Sequence, residues 1–203
     1  MSVDLIATIR NPVALAEVLE AERGVLKMLL ATDSLPDLVV VEGREYERGV
    51  QVAPGHPMAA AELAAVMVGE AIPPGPDGLA GARFFELDVA GFEERTRIML
   101  FDFHYDDGKH EGDWPVQALA SPTRSCVGVV VAAGFALAAA IEGRGEFIDE
   151  IQMSQPPVDD PRRFIEQTRL REPGDDFAAQ CERFMRQFPD LGGWPPDLRS
   201  TIW

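Results

Sequence analysis

The chain has few cysteines and no long apolar run, and each shortage excludes a class of protein. Only Cys126 and Cys181 occur in 203 residues, and both lie in apolar helical patterns. We therefore expect two buried thiols and no disulfide framework. The longest uncharged apolar run, residues 126–141, is 16 residues long, whereas a helix needs roughly 20 to span a bilayer. This run predicts a buried helix and no membrane span.

Catalytic and targeting motifs are also missing from the sequence. It contains no G-x-S-x-G elbow, P-loop, H-E-x-x-H or C-x-x-C, and Gly143-Arg144-Gly145 follows a helix, as a helix stop does. We expect no catalytic residue, no cofactor and no metal. The first ten residues have no basic region followed by an apolar stretch, so we expect no secretory signal and a cytoplasmic location.

Basic residues are outnumbered by acidic ones, 18 against 34, which gives a net charge of −16. A field of this size repels nucleic acid and anionic membranes, and it accelerates encounter with basic proteins by roughly 10–10³-fold. We expect a basic protein as the partner, with neither nucleic acid nor membrane bound. Acidity that serves only solubility is the alternative explanation.

Hydrophobic patterning predicts an α+β fold, with a mainly antiparallel sheet packed against helices. Phe85, Leu87 and Val89 alternate with Phe84, Glu86 and Asp88, and residues 97–105 return after a turn near Ala90-Gly91 as an antiparallel hairpin would. Strand patterns cover residues 4–9, 37–41, 50–53, 83–89, 97–105, 114–120 and 146–153. Helices are predicted to open at Asn11-Pro12 and at Asp160-Pro161, to cover 58–68 and about 122–142 behind a Ser121-Pro122 cap, and to begin near Asp175.

The simplest division of the chain is an α+β domain over 1–153 and a helical C-terminal extension over 154–203 packed on the same body. The last helix carries an apolar stripe at helical spacing. Its members are Phe177, Cys181, Phe184, Met185 and Phe188. We expect this stripe to dock on the main body.

One segment, residues 101–114, concentrates acidic, histidine and aromatic side chains. It is compatible with a solvated loop, with an acidic partner-binding loop flanked by aromatics, or with an ion site. Its candidate partner-binding residues are Tyr105, Asp106, Asp107, Glu111, Asp113 and Trp114. For the ion site the candidates are Asp102, His104 and His110. Asp102 and His104 share one face of a strand, but the spacing does not match a calcium-binding EF-hand loop.

Asp149 is a carboxylate on an otherwise apolar strand face, between Phe147 and Ile151. An unpaired buried charge is very costly. We therefore expect Asp149 to be hydrogen-bonded inside the protein in a structural role, with a functional role as the alternative.

Residues 119–153 resemble a segment of small bacterial α+β proteins of the toxin-immunity or uncharacterised type. The shared pattern is an alanine- and leucine-rich helix ending in Ala138-Ala139-Ala140-Ile141, a glycine turn at 143–145, and the strand Phe147-Ile148-Asp149. The resemblance implies an antidote that binds and blocks a cognate toxin. Such proteins are commonly acidic when the toxin is basic.

Three functions follow as expectations. The first is an acidic cytoplasmic binding protein, an immunity protein that inhibits a basic bacterial toxin. The second is a metal-assisted hydrolase that uses Asp102, His104 and His110. The third is a scaffold subunit of a larger assembly, which would expose Phe177, Phe184 and Phe188 instead of docking them.

Overall fold

The computed structural model of the chain describes residues 4–72, 81–102, 116–188 and 191. They form helices and a seven-stranded antiparallel sheet of order β4-β3-β6-β7-β8-β1-β9, so the predicted α+β class is confirmed. The strands are β1 (Leu5–Ile9), β2 (Val13–Ala14), β3 (Leu38–Glu47), β4 (Val50–Pro57), β5 (Met67–Val68), β6 (Ala82–Val89), β7 (Arg95–Phe101), β8 (Val116–Ser121) and β9 (Phe147–Asp149). The helices are α1 (Leu15–Leu30), α2 (Ala60–Ala65), α3 (Cys126–Glu142), α4 (Pro161–Thr168) and α5 (Phe177–Met185).

The sheet separates an inner face, which packs on α3, from an outer face on the opposite side. Side chains alternate between the two faces along each strand. Leu5, Ala120, Ile98 and Phe85 are directly opposite one another on four adjacent strands, and all four are buried in the hydrophobic core. The predicted β6–β7 hairpin is thus confirmed, together with its inward-facing residues.

Helix α3 is the centre of the core, with β1, β7 and β8 on one side and α1, α4 and α5 on the other. Fifteen consecutive residues, Cys126–Ala140, are buried, which explains why the helix is apolar around its whole circumference. None of the helices in the described ranges has both the length and the apolar character that membrane crossing requires. Cys126 and Cys181 are both buried thiols, as expected.

The two C-terminal helices begin at aspartates that cap them. The Asp160 side chain accepts hydrogen bonds from the backbone N–H groups of Arg162 and Arg163, and the Asp176 side chain accepts one from Ala179. Helix α5 docks on α3 and α1. The buried members of its stripe are Phe177, Cys181, Phe184 and Met185, so the predicted docking of this helix is confirmed.

The first hairpin is longer than the sequence pattern predicts. The sequence pattern ends one strand at residue 41 and begins the next at residue 50, but β3 continues through the charged residues 42–45 to Glu47. The chain turns instead at Arg48 and Gly49, whose φ angles of 51° and 83° are both positive. Two positive φ angles in succession match the twist of hairpin strands. Hydrophobic alternation does not predict the full length of β3, because the second half of the strand is solvated.

Several element boundaries predicted from caps are wrong because strand pairing takes precedence. Val13–Ala14 pairs with Met67–Val68, so α1 begins at Leu15 and not at Pro12, and α2 covers only Ala60–Ala65 of the predicted 58–68. Ser121 belongs to β8, and the cap of α3 is Ser125, whose hydroxyl accepts the Gly128 N–H at 2.9 Å. The strand expected over 146–153 covers only Phe147–Asp149 and is followed by a turn.

Candidate functional site

The predicted partner-binding residues Tyr105, Asp106, Asp107, Glu111, Asp113 and Trp114 lie outside the described residues, as do His104 and His110. The strands that flank this segment are described. β7 ends at Phe101 and β8 begins at Val116, and the two are neighbours in the middle of the sheet. The acidic segment therefore connects two central strands.

Asp102, the first residue of the hydrolase hypothesis, is fully buried directly after β7. Its carboxylate accepts a hydrogen bond from the Ile72 N–H at 3.0 Å, and its own N–H donates to the Gly81 carbonyl at 3.1 Å. These bonds tie Ile72 and Gly81 to the end of β7. Within the part of the chain that the structure describes, no group of three histidine, cysteine, aspartate or glutamate side chains is arranged to hold a metal ion.

Asp149 ends the edge strand β9 and organises the turn that follows. Its Oδ2 atom accepts the Ser154 N–H at 3.1 Å, while its Oδ1 atom is buried without a hydrogen-bond partner among the described residues. Burial raises the pKa of the Asp149 carboxyl, and backbone N–H groups of residues 151–154 oppose that rise. The carboxylate acts here as a backbone acceptor.

The outer face of the sheet carries an unexpected apolar row. Its members are directly opposite one another on five neighbouring strands: Ile148, Ile6, Leu119, Met99 and Phe84. We call this set the outer row. In its middle, Ile6 and Leu119 are buried but lie outside the main core. At one end Phe84 is 55% exposed and at the other Ile148 is 39% exposed. Antiparallel sheets usually turn polar side chains toward solvent on such a face.

A network of charged side chains borders the outer row on β3, β6 and β7. Arg44 donates to Glu86 at 2.5 Å and to both carboxylate oxygens of Asp88 at 2.8 and 2.7 Å. The Tyr46 hydroxyl donates to Glu86 at 2.9 Å and accepts from Arg95 at 2.9 Å. These bonds raise the pKa of Arg44, with Asp88 as the main cause. The five side chains therefore hold one another in fixed positions.

A hollow of about 430 Å³ opens beside Phe84 on this face. Phe84, Tyr46, Arg97 and Glu86 contribute to its lining, and Gly43 on β3 leaves it open because glycine has no side chain. A methyl group added at Gly43 would have no atom within 4 Å. The residues that line the hollow thus include aromatic, arginine and glutamate side chains.

No protein-family model, curated protein or solved structure matches the chain. Its function therefore has to be inferred from its own residues.

A second open groove, of about 830 Å³, lies next to the hollow at the end of the β6–β7 hairpin. Arg44, Asp88, Phe92 and Glu93 line it, together with the proline-bearing strand β4. Both depressions share Arg44, so the charged network forms the wall between them. The outer face therefore has two depressions at one end, around β3 and β6.

Glu22 is a buried acid that the sequence reasoning missed. It is fully buried on α1, and neither of its carboxylate oxygens has a hydrogen-bond partner among the described residues. Burial raises the pKa of Glu22 well above 4.5, and Arg23 opposes the rise. A signal for it exists in the sequence. Position 22 falls in the apolar stripe of α1 between Val18 and Leu26, where a carboxylate breaks the pattern.

No break in the sequence pattern marks the residues of the outer row. Phe84 alternates with inward-facing Phe85 and Leu87, and it therefore belongs by pattern to the solvated face of β6. That it joins a row of five apolar side chains depends on strand order and register.

The exposure that the scaffold hypothesis requires is absent at two of its residues, since Phe177 and Phe184 are buried against the body.

Proposed function

We propose that the chain is an acidic binding protein of the immunity type, which occupies and blocks the active site of a basic protein toxin. The observation that carries the proposal is the net charge of −16. A field of that strength raises the encounter rate with a cationic surface and disfavours nucleic acid as the partner.

Several basic side chains in the described residues are paired with carboxylates, and because each pair cancels one charge of either sign, the field is still that of the excess carboxylates. Ion pairs join Arg10 to Glu146, Arg83 to Glu42, Arg183 to Glu172 and Arg186 to Glu182. Arg44 is held between two carboxylates. Such pairs contribute little to affinity for a partner, because each already has its counter-charge.

The acidic segment between β7 and β8 is the proposed contact for the basic surface. Asp106, Asp107, Glu111 and Asp113 supply negative charge, and Tyr105 and Trp114 are of the residue types that dominate binding energy at interfaces. The two strands that flank this segment, β7 and β8, both pack on α3.

We also propose a cytoplasmic location, where an antidote would protect the producing cell. Two buried cysteine thiols support a reducing compartment. The proposed partner is the product of the gene adjacent to the one that encodes this chain.

The test measures how tightly charge variants of the chain bind that adjacent gene product and how strongly they inhibit it. One variant neutralises the acidic segment, with D106N, D107N, E111Q and D113N. The matched control neutralises four exposed acids on the helices, with E17Q, E20Q, E142Q and E166Q. Both variants remove four negative charges. We expect the segment variant to bind at least about tenfold more weakly than the control variant, because close charge pairs and not net charge alone set the affinity.

Equal affinity of the two variants would show that the acidic segment is not the contact. Wild-type chain that neither binds nor inhibits the adjacent gene product would overturn the proposed function.

A further inference from the structure

We infer that the hollow beside Phe84 binds a small aromatic carboxylate, whose carboxylate group pairs with Arg97 and whose ring packs against Phe84 and Tyr46. The inference does not depend on the proposed function, since it concerns a small molecule and a different surface. The volume of the hollow, about 430 Å³, lies within the range of roughly 300–1,000 Å³ that small-molecule sites occupy.

Arg97 supplies the hollow with a guanidinium that has no counter-charge. It is exposed, lines the hollow and makes no hydrogen bond or ion pair with another described residue. Glu86 is directly opposite Arg97 on β6, where a cross-strand ion pair would ordinarily form. The Glu86 carboxylate instead accepts from Arg44 at 2.5 Å and from the Tyr46 hydroxyl at 2.9 Å. The N–H donors of Arg97 therefore remain available to a ligand.

The charges of the hollow favour an anion, although the chain as a whole is acidic. Its charged lining residues are Arg44, Arg83, Arg97, Glu42 and Glu86. Arg83 is paired with Glu42 at 2.9 Å. Arg44 is paired with Glu86 and with Asp88, and Asp88 is itself directly opposite Arg95 on β7. The unpaired charge that an incoming group meets is thus the positive charge of Arg97, which complements a carboxylate and repels an ammonium group.

Phe84 and Arg97 are placed so that one small ligand can contact both. Phe84 is opposite Met99, two residues from Arg97 on β7, so Phe84 and Arg97 are diagonal neighbours on the outer face. Diagonal neighbours on an antiparallel pair are about 7–8 Å apart, a gap that a carboxylate joined to a ring by a short chain can bridge. Phe84 is 55% exposed, so its ring has apolar area to lose when another ring packs on it.

The rest of the lining leaves room for the ring and holds its shape. Gly43 on β3 has no side chain to fill the hollow. The Tyr46 ring is held by the hydrogen bonds of its hydroxyl to Glu86 and Arg95. A wall that is already fixed loses little entropy when a ligand binds.

A carboxylate fits this site better than a phosphate group does. A guanidinium binds the planar carboxylate through two parallel N–H···O bonds. A phosphate group brings a charge of about −1.5 to −2 and a third terminal oxygen, and these call for a second basic group. Among the described lining residues, the other two arginines are already paired with carboxylates.

The experiment is a titration of the full isotope-labelled chain with phenylacetate at 0.15 M salt, followed by the NMR shifts of the backbone amides. We expect saturable shifts at Gly43, Phe84 and Arg97 and a dissociation constant of about 10 mM or tighter, as for other ligands of this size. Phenethylamine carries a ring and a positive charge, and acetate carries a carboxylate without a ring. We expect each to bind at least about tenfold more weakly than phenylacetate.

Two arginine variants test the carboxylate contact directly. Arg97→Gln removes the proposed partner of the carboxylate, and the matched control Arg163→Gln removes the same charge from an exposed position on α4. We expect Arg97→Gln to weaken phenylacetate binding at least about fivefold, as the loss of a charge-assisted hydrogen bond does. Arg163→Gln should leave the affinity within about twofold, because distant exposed charges are screened at this salt concentration.

Shifts at the hollow that do not saturate by about 50 mM phenylacetate would overturn the inference. Phenethylamine or acetate that binds as tightly as phenylacetate would do the same, as would equal affinities of Arg97→Gln and Arg163→Gln. None of these results bears on the proposed function, which is tested with the adjacent gene product.

Discussion

At the scale of single residues, Glu22 is a carboxyl group that folding removes completely from water. It places a carboxyl group in the interface between α1 and α3, beside Leu26 and Gly134. Without a hydrogen-bond partner among the described residues, the charged form would lose its hydration with no compensation. The protein avoids this cost by keeping the group protonated, which is why the pKa of Glu22 is raised.

This protonation makes stability depend on pH. The folded protein retains the Glu22 proton at pH values where the unfolded chain has lost it, so the unfolded state binds fewer protons. The free energy of unfolding should therefore fall as the pH rises above 4.5 toward the raised folded pKa. We expect the Glu22 contribution to fall by about 1.4 kcal/mol per pH unit across that window.

The measurement is urea unfolding of the wild type and Glu22→Gln at a series of pH values. Glutamine does not titrate, so we expect the stability of the variant relative to wild type to rise with pH. Glu20→Gln, on the exposed side of the same helix, should leave the pH dependence unchanged. A constant difference between Glu22→Gln and wild type at all pH values would show that Glu22 does not titrate abnormally.

At the scale of the elements, the packing of α3 against α1 depends on a close approach at Gly134. A Cβ atom added there would lie 2.7 Å from Leu26 Cδ2 and 3.0 Å from Leu26 Cγ. Leu26 is fully buried and cannot move into solvent. Overpacking of this kind costs about 1–3 kcal/mol, while alanine gains about 1 kcal/mol over glycine in a helix interior.

We expect Gly134→Ala to lower the free energy of unfolding despite that gain in helix propensity. Gly24→Ala in α1 is the matched control, because a Cβ atom at Gly24 would have nothing within 4 Å. The control should raise stability by about 0.5–1 kcal/mol. Chemical denaturation of both variants measures the two effects, and a Gly134→Ala variant as stable as Gly24→Ala would refute the close packing of the two helices.

The elements themselves were largely predictable from the sequence, but their ends were not. Local sequence preference predicted several elements that the fold contains. They are the helix of the apolar run at 126–141, the alternating strand β6 and the helix that starts at Asp160-Pro161. Boundaries failed where a distant strand decided the outcome. Asn11-Pro12 has the chemistry of a helix start, but Val13–Ala14 pairs with Met67–Val68. Helix α1 therefore begins only at Leu15.

At the scale of the whole molecule, the candidate surface depends on pairings between distant parts of the chain. β1 lies between β8 and β9, so Ile6 is opposite both Leu119 and Ile148. The local sequence around each of these residues shows only the alternation of a strand with one solvated face. It does not reveal which strands are neighbours. The sequence therefore predicts an acidic binding protein, and the outer row becomes visible only in three dimensions.

Electrostatic attraction between this acidic chain and a basic protein is the central claim, and its most direct test is the association rate with the adjacent gene product over a salt series. The distance over which exposed charges act falls from roughly 30 Å at 0.01 M salt to 3 Å at 1 M. We predict that the stopped-flow association rate constant decreases by at least about tenfold across this range, as in steered association. A rate constant that stays flat from low to molar salt would contradict the account.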